Sequence, residues 1–205
     1  STEGTTLIKR VNAASSGTAP ESMTVVNGEI YFPAGENELW KSDGTAAGTV
    51  LMASFASANS FPSNTLPQDL INLNGALYFV VDGDEAGAEL WKSDGTAQGT
   101  MRISDIDPNG DGLPLRVVEM NGELFFSARN DATGIELWKS DGTAAGTTLV
   151  KDITPGSELS LPRELTNVHG TLYFTARNAT FNYELWSSDG TSEGTVLVKD
   201  FTGDL

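Results

Sequence analysis

An all-β repeat fold is predicted by three landmarks that recur in step along the 205 residues. The first is Glu38-Leu39-Trp40-Lys41-Ser42-Asp43-Gly44-Thr45, which returns almost unchanged from Glu89 to Thr96, Glu136 to Thr143 and Glu184 to Thr191, each copy followed after two residues by Gly-Thr. The second is a turn pair, Asn27-Gly28, Asn74-Gly75, Asn121-Gly122 and His169-Gly170, leading each time into an apolar run that ends in Tyr31-Phe32, Tyr78-Phe79, Phe125-Phe126 or Tyr173-Phe174. The third is proline, at Pro20, Pro67, Pro114 and Pro162. Such a period means that one supersecondary unit is stacked on copies of itself.

Each repeat reads as four short strands. In the last repeat the first strand spans 164–168 and stops at His169-Gly170, the counterpart of three Asn-Gly pairs whose residues suit the positive φ of a two-residue hairpin turn. The second strand is 171–176, the third 184–187, and the fourth, 195–201, follows the Asp-Gly turn. These strands are rich in Val, Ile, Leu, Tyr, Phe and Thr without clean alternation, as expected of sheets covered on both faces. Antiparallel four-stranded units of roughly 40–50 residues are the blades of a β-propeller; a parallel β-helix, the rival, has a much shorter repeat. The prediction is therefore one propeller domain over 1–205, with blades at about 20–55, 67–106, 114–153 and 162–201. Trp40, Trp91, Trp138 and Trp186, spaced by 51, 47 and 48 residues, sit beside Leu in every third strand. One residue of each pair then points to each neighbouring blade, which favours blade core over sugar-stacking platforms.

The N-terminus adds a strand too many. Ser1-Thr2-Glu3-Gly4-Thr5-Thr6-Leu7-Ile8-Lys9 aligns with Thr191 to Lys199, so the chain holds five fourth strands and four copies of the others. Three fates are open for this extra N-terminal strand within 1–11: a remnant of a longer array, an edge strand on a closing blade, or exchange into a neighbouring subunit. In the third case Thr5, Leu7, Ile8 and Val11 form an assembly strand, and head-to-tail addition builds a ring or a filament.

The motif Glu-Leu-Trp-x-x-Asp-Gly-Thr, with Gly-Thr after it and Asn-Gly-x-Leu-Tyr-Phe upstream, resembles the ELWxxDGT repeat family of secreted or surface bacterial proteins. The resemblance covers nearly the whole chain. It implies a propeller-like module on extracellular proteins, with no established catalytic residue set, so no functional residue carries over. Ser-Asp-Gly-Thr also loosely resembles the Asp-box turn of sialidase propellers, without its spacing and trailing Trp.

Composition narrows the partners. Twelve Lys plus Arg against 28 Asp plus Glu leave a net charge of −16, a field that repels nucleic acid and anionic lipid. No run of about 18 apolar residues suggests a membrane span. No charged-then-apolar leader opens the chain, so a mature form or a part of a longer protein is expected. The absence of cysteine excludes disulfides, thiolate catalysis and Cys-ligated metal.

The sharpest local pattern is Asp105-Ile106-Asp107-Pro108-Asn109-Gly110-Asp111. Oxygen side chains at alternate positions followed by glycine suit a calcium loop, making Asp105, Asp107, Asn109 and Asp111 candidate ligands, although Arg116 stands where a bidentate Glu is expected. The competing reading is a connector with decorative acids. Asp82, Asp84 and Glu85 form a weaker second candidate. Glu38, Glu89, Glu136 and Glu184 could be catalytic acids, but a residue repeated in every blade points to structure, since catalysis needs a unique constellation. His169 reads as turn chemistry, Asp43, Asp94, Asp141 and Asp189 as turn formers, and Asn178-Ala179-Thr180 as a glycosylation sequon on a hairpin. The expected function is an extracellular, non-enzymatic structural module that forms a homo-oligomer or polymer. The alternative is a propeller that binds glycan or a surface protein through its variable loops.

Overall fold

The computed structural model describes residues 4–11, 22–35, 37–55, 66–84, 87–108, 110–156 and 158–201. The landmark Pro20 and the connector 56–65 lie outside the described residues. Among the described residues the sheets are four, each of four strands in sequence order and antiparallel. The first holds β1 (Thr24–Val26), β2 (Glu29–Ala34), β3 (Glu38–Ser42) and β4 (Val50–Ser54). The second holds β5 (Gln68–Leu73), β6 (Ala76–Asp84), β7 (Gly87–Ser93) and β8 (Met101–Arg102). The third holds β9 (Leu115–Met120), β10 (Glu123–Asn130), β11 (Gly134–Ser140) and β12 (Thr148–Lys151). The fourth holds β13 (Arg163–Val168), β14 (Thr171–Arg177), β15 (Tyr183–Ser188) and β16 (Val196–Lys199).

Contacts divide the chain into two compact units, 1–85 with 92–101 and 86–91 with 102–205. One finding differs from expectation. Residues 5–10 belong to none of the four sheets, so the extra N-terminal segment is not a strand here. A strand is defined by its ladder, and repeat chemistry alone does not supply a partner.

The turns follow their residues. Asn27, Asn74, Asn121 and His169 adopt φ of 51 to 54°, and the glycines after them 81 to 85°, the left-handed pair that a tight hairpin demands. His169 thus serves as a turn residue in the place of Asn. Between the third and fourth strands the register slips by one at Leu39/Trp40, Leu137/Trp138 and Leu185/Trp186. Such a bulge increases local twist.

The last hairpin is held by side chains rather than by chain direction alone. In the third sheet Asp141 Oδ1 accepts from Thr143 N (2.9 Å) and Thr143 Oγ1 (2.7 Å), and Thr143 Oγ1 in turn accepts from Gly146 N (3.0 Å). Ser140 Oγ accepts from Gly142 N (3.1 Å) and pairs with Thr147 Oγ1 (2.8 Å), whose hydroxyl donates to Thr143 O (2.8 Å). The same bonds recur at Asp43, Asp94 and Asp189. This explains the second glycine of the motif. A Cβ on Gly146 would stand 2.0 Å from Asp141 Oδ1, so any side chain there evicts the carboxylate.

In the second unit a core forms from Met120, Phe125, Leu137, Val150, Leu172, Phe174 and Ala176, with Trp186 packed on it. In the first unit Phe55 meets Phe79 edge to face at 5.8 Å.

Gly146→Ala is expected to lower stability by roughly 1–3 kcal/mol, the usual range for breaking a local hydrogen-bond network. In an Asp141→Ala background the same substitution should cost much less, because the clashing carboxylate is gone. Urea midpoints of the four proteins measure both; equal costs in the two backgrounds would refute the proposed clash.

Candidate functional site

The repeated glutamates have a specific structural job. Glu89, Glu136 and Glu184 are fully buried. Glu136 Oε2 accepts from Ile153 N (2.9 Å) and Ser160 Oγ (2.6 Å), and its Oε1 from Ser160 N (3.3 Å). Glu89 Oε2 accepts from Ile106 N (3.3 Å) and Glu184 Oε2 from Phe201 N (2.5 Å), each donor seventeen residues downstream of its carboxylate. Each carboxylate ties the end of the fourth strand back onto the third. The first sheet solves this differently: Phe55 N donates to Asn37 O (2.8 Å), and Glu38 accepts instead from Trp40 Nε1 (2.9 Å).

Among the described candidate calcium residues, Asp105, Asp107 and Asp111 have different neighbours. Asp111 Oδ1 accepts from Ala88 N (2.8 Å) and Leu113 N (3.0 Å), pinning the connector to the start of β7. Asp107 is buried, and Asp105 lies 3.9 Å from Arg102. Asn109 and Glu85 lie outside the described residues, while Asp82 and Asp84 lie on the end of β6. Among the described residues no three His, Cys, Asp or Glu side chains gather as a metal site. Asn178 Oδ1 accepts from Thr180 N (2.9 Å) and Thr180 Oγ1 (2.7 Å), so the sequon side chain shapes its own loop.

Sheet stacking supplies the geometry that matters for interaction. In the first unit Tyr31 presses on the β7–β8 hairpin, where a Cβ on Gly95 would lie 2.7 Å from its hydroxyl oxygen. In the second unit Phe125 presses on the β15–β16 hairpin, where a Cβ on Gly190 would lie 3.0 Å from its ring. The aromatic is a knob and the Asp-Gly glycine its hole. Paired amides flank each contact. Asn27 Nδ2 donates to Gly75 O (2.8 Å) and Asn72 Nδ2 to Val25 O (2.9 Å); Asn121 Nδ2 donates to Gly170 O (3.2 Å) and Asn167 Nδ2 to Glu119 O (3.0 Å).

On the first and fourth sheets the corresponding positions are exposed among the described residues. Tyr173 is 36% exposed where Tyr31 is 3% and Phe125 0%; Val198 is 48% exposed where Val150 is 6%; Val168 is 44% exposed where Met120 is 1%. On the first sheet Ile30 is 37% exposed where Leu77 and Leu172 are fully buried. Nothing among the described residues approaches within 4 Å of a Cβ built on Gly44. Sequence reasoning placed the surplus at residues 1–11 and missed these two faces, which are visible only when burial is compared position by position. A separate cavity of about 420 Å³ lies beside β10 and β11, lined by Leu113, Arg129, Asp131, Ile135 and Leu159 among others, with Arg129 held to Asp131 at 2.9 Å.

No family model matches the chain, and no curated protein is significantly similar to it in sequence. Among solved structures it is similar to the β-propeller domain of the trilobed protease from Pyrococcus furiosus, described as having an open velcro topology, with 13% identity and a TM-score of 0.56 over 90% of this chain and 55% of that one. It is also similar to the computationally designed Ika8 protein (10% identity, TM-score 0.51, 90% and 49% covered) and to a puromycin hydrolase (15%, 0.53, 88% and 30%). The fold is a β-propeller. The chain spans about half the length, or less, of these propeller-like neighbours.

Titration of the propeller follows its two kinds of acid. Burial pushes the Glu89 carboxyl up to about 8 and that of Glu136 to about 7, against backbone and serine hydrogen bonds that favour the charged form. The folded state then keeps protons that the unfolded chain releases above 4.5, so this contribution is complete below about 4.5 and is lost as pH rises toward 7 and 8. The hairpin aspartates run the other way. Hydrogen bonds from the following threonine hold Asp43, Asp94, Asp141 and Asp189 below the usual 3.8, so their contribution is present above that value and lost as pH falls. Stability is expected to peak near pH 4–5 and to decline toward 8. Glu89→Gln should flatten that decline in urea midpoints measured across the range; an identical slope in both proteins would remove Glu89 as its source.

Proposed function

We propose that this protein is a non-enzymatic structural module, secreted or borne on a cell surface, that self-associates end to end. Its copies repeat between chains the blade-to-blade contact made within each chain. The observation that carries this reading is the uncovered knob, Tyr173, with Val168 and Val198 beside it on the last blade. The chemistry of the missing cover is written in the same chain: the equivalent face of the third blade is covered by a copy of the repeat. The complementary first-blade face, with Ile30 and the open space at Gly44, is the matching hole. Extracellular placement rests on the resemblance of the Glu-Leu-Trp-x-x-Asp-Gly-Thr motif. The repeated acids Glu89, Glu136 and Glu184 are occupied by backbone donors, which supports a structural rather than catalytic use.

Charge opposes the association. At a net −16 the copies repel one another, and salt screens that repulsion while leaving apolar burial in place. Light scattering is expected to show association that grows with protein concentration and with salt. Tyr173→Asp should leave the circular dichroism and thermal midpoint near those of the unmodified chain, because the side chain is already uncovered, and should abolish association. A monomer at every concentration and salt would overturn the reading and direct the search to glycan and protein ligands at the cavity beside β10 and β11.

A further inference from the structure

The N-terminal segment lies where the fourth strand of a preceding blade would lie. In the second unit Lys151, at the end of β12, donates to Thr195 O at 2.8 Å, tying the fourth strand of the third blade to the last hairpin of the fourth. Lys9 donates to Thr49 O at 2.6 Å, and Lys9 and Thr49 are the sequence counterparts of Lys151 and Thr195. The segment 5–9 thus sits before the first blade as β12 sits before the fourth. Among the described residues no strand pairs with it: Leu7 is 74% and Ile8 48% exposed, and a cavity of about 220 Å³ opens between Ile8 and Val11 on one side and Met23, Ile30 and Phe32 on the other.

We propose that residues 5–9 are the outer strand of a blade whose three inner strands, β13 to β15, come from a second copy of the chain. The proposal rests on the end-to-end association proposed above and supplies its joint. Thr5-Thr6-Leu7-Ile8-Lys9 reproduces Thr195-Val196-Leu197-Val198-Lys199, so the incoming segment takes the place of that copy's β16 on β15. Addition as a fifth strand would set the segment one strand spacing, about 4.8 Å, further out, and would not place Lys9 over Thr49 as Lys151 stands over Thr195. Replacement is favoured by packing. All four β16 residues are exposed, and besides its ladder β16 is held only at its ends, by Thr195 on Ser188 and Phe201 N on Glu184, whereas the segment 5–9 would make the same ladder and keep its contact with the first blade. The joined blade brings Tyr173 and Leu185 of the second copy toward the cavity and toward Gly44.

Ladder register makes this testable in a chain without native cysteine. β15 and β16 pair Ser187 with Val196, and Thr6 is the counterpart of Val196. Full-length Thr6→Cys and Ser187→Cys proteins are mixed under a mild oxidant, and the double variant Ser187→Cys, Val196→Cys serves as the control for disulfide-competent geometry. The expected result is a disulfide-linked heterodimer of the two single variants, identified by mass after proteolysis. Its absence under conditions where the control closes would overturn the strand exchange. The same holds if a Thr6→Cys, Ser187→Cys double variant closes only within one chain. Association by light scattering without this heterodimer removes the exchange and leaves end-to-end packing standing; a monomer removes both.

Discussion

Blade stacking depends on a carboxylate that accepts two hydrogen bonds from a threonine two residues on. With Asp141 bonded to Thr143, the hairpin is rigid, Gly142 takes its left-handed φ of 88°, and Gly146 is bare where the carboxylate passes. A rigid hairpin presents its first glycine as a flat recess. The aromatic of the preceding blade fills that recess, as Tyr31 does at Gly95 and Phe125 at Gly190. The acidity of the motif is therefore not surface decoration; a neutral residue in place of the aspartate would loosen both the turn and the interface that the turn supports. Because the bond network is local, every repeat builds its own recess without help from its neighbours, which is the condition for stacking identical units.

A stack of identical units has two unlike ends. Whatever covers the rear of one blade is the front of the next, so the last rear and the first front are complementary by construction. Internal repetition usually hides this fact behind capping residues with a polar outer face. Here exposed positions keep the apolar types of the interior: Val168, Tyr173 and Val198 on the fourth blade, Ile30 on the first. Two substitutions bear on a contact between copies. Val25 stands where the second and fourth blades carry Asn72 and Asn167 and the third carries Glu119, and His169 stands where the others carry Asn27, Asn74 and Asn121. The amide pair that flanks the first–second and third–fourth contacts is consequently missing from the proposed contact between copies.

Much of the architecture was legible before any coordinate. Asn-Gly pairs, the Asp-Gly hairpin and the aromatic pairs announce strands and turns because each rests on local φ preference or on alternation of apolar side chains. The role of the glutamates was legible as structural, from repetition alone, but not as a tie between strand three and the end of strand four: the donors are backbone N–H groups, which carry no sequence signature. The oxygen-rich loop after β8 suggests calcium by its spacing along the chain, and its described acids have separate neighbours. In space Asp111 turns to Ala88 and Leu113, Asp105 toward Arg102, and Asp107 inward. The extra strand was recognised from self-alignment, yet its place on the first blade follows from one Lys9–Thr49 contact that no alignment contains.

The missing amide pair decides the character of the proposed assembly. In the first–second and third–fourth contacts, two side-chain-to-backbone bonds orient one blade on the next, each contributing roughly 0.5–1.5 kcal/mol. A junction between copies has the knob and the apolar rim without those bonds, and it forms against the repulsion of two strongly acidic chains. Face packing alone would then leave blade orientation weakly specified. Strand exchange restores specification by another route, since a ladder fixes register through main-chain bonds and through the side-chain period of two. In the proposed assembly, the N-terminal repeat of β16 and the lack of Asn at positions 25 and 169 therefore fit together: the register that amides provide inside the chain would be provided between chains by a borrowed strand.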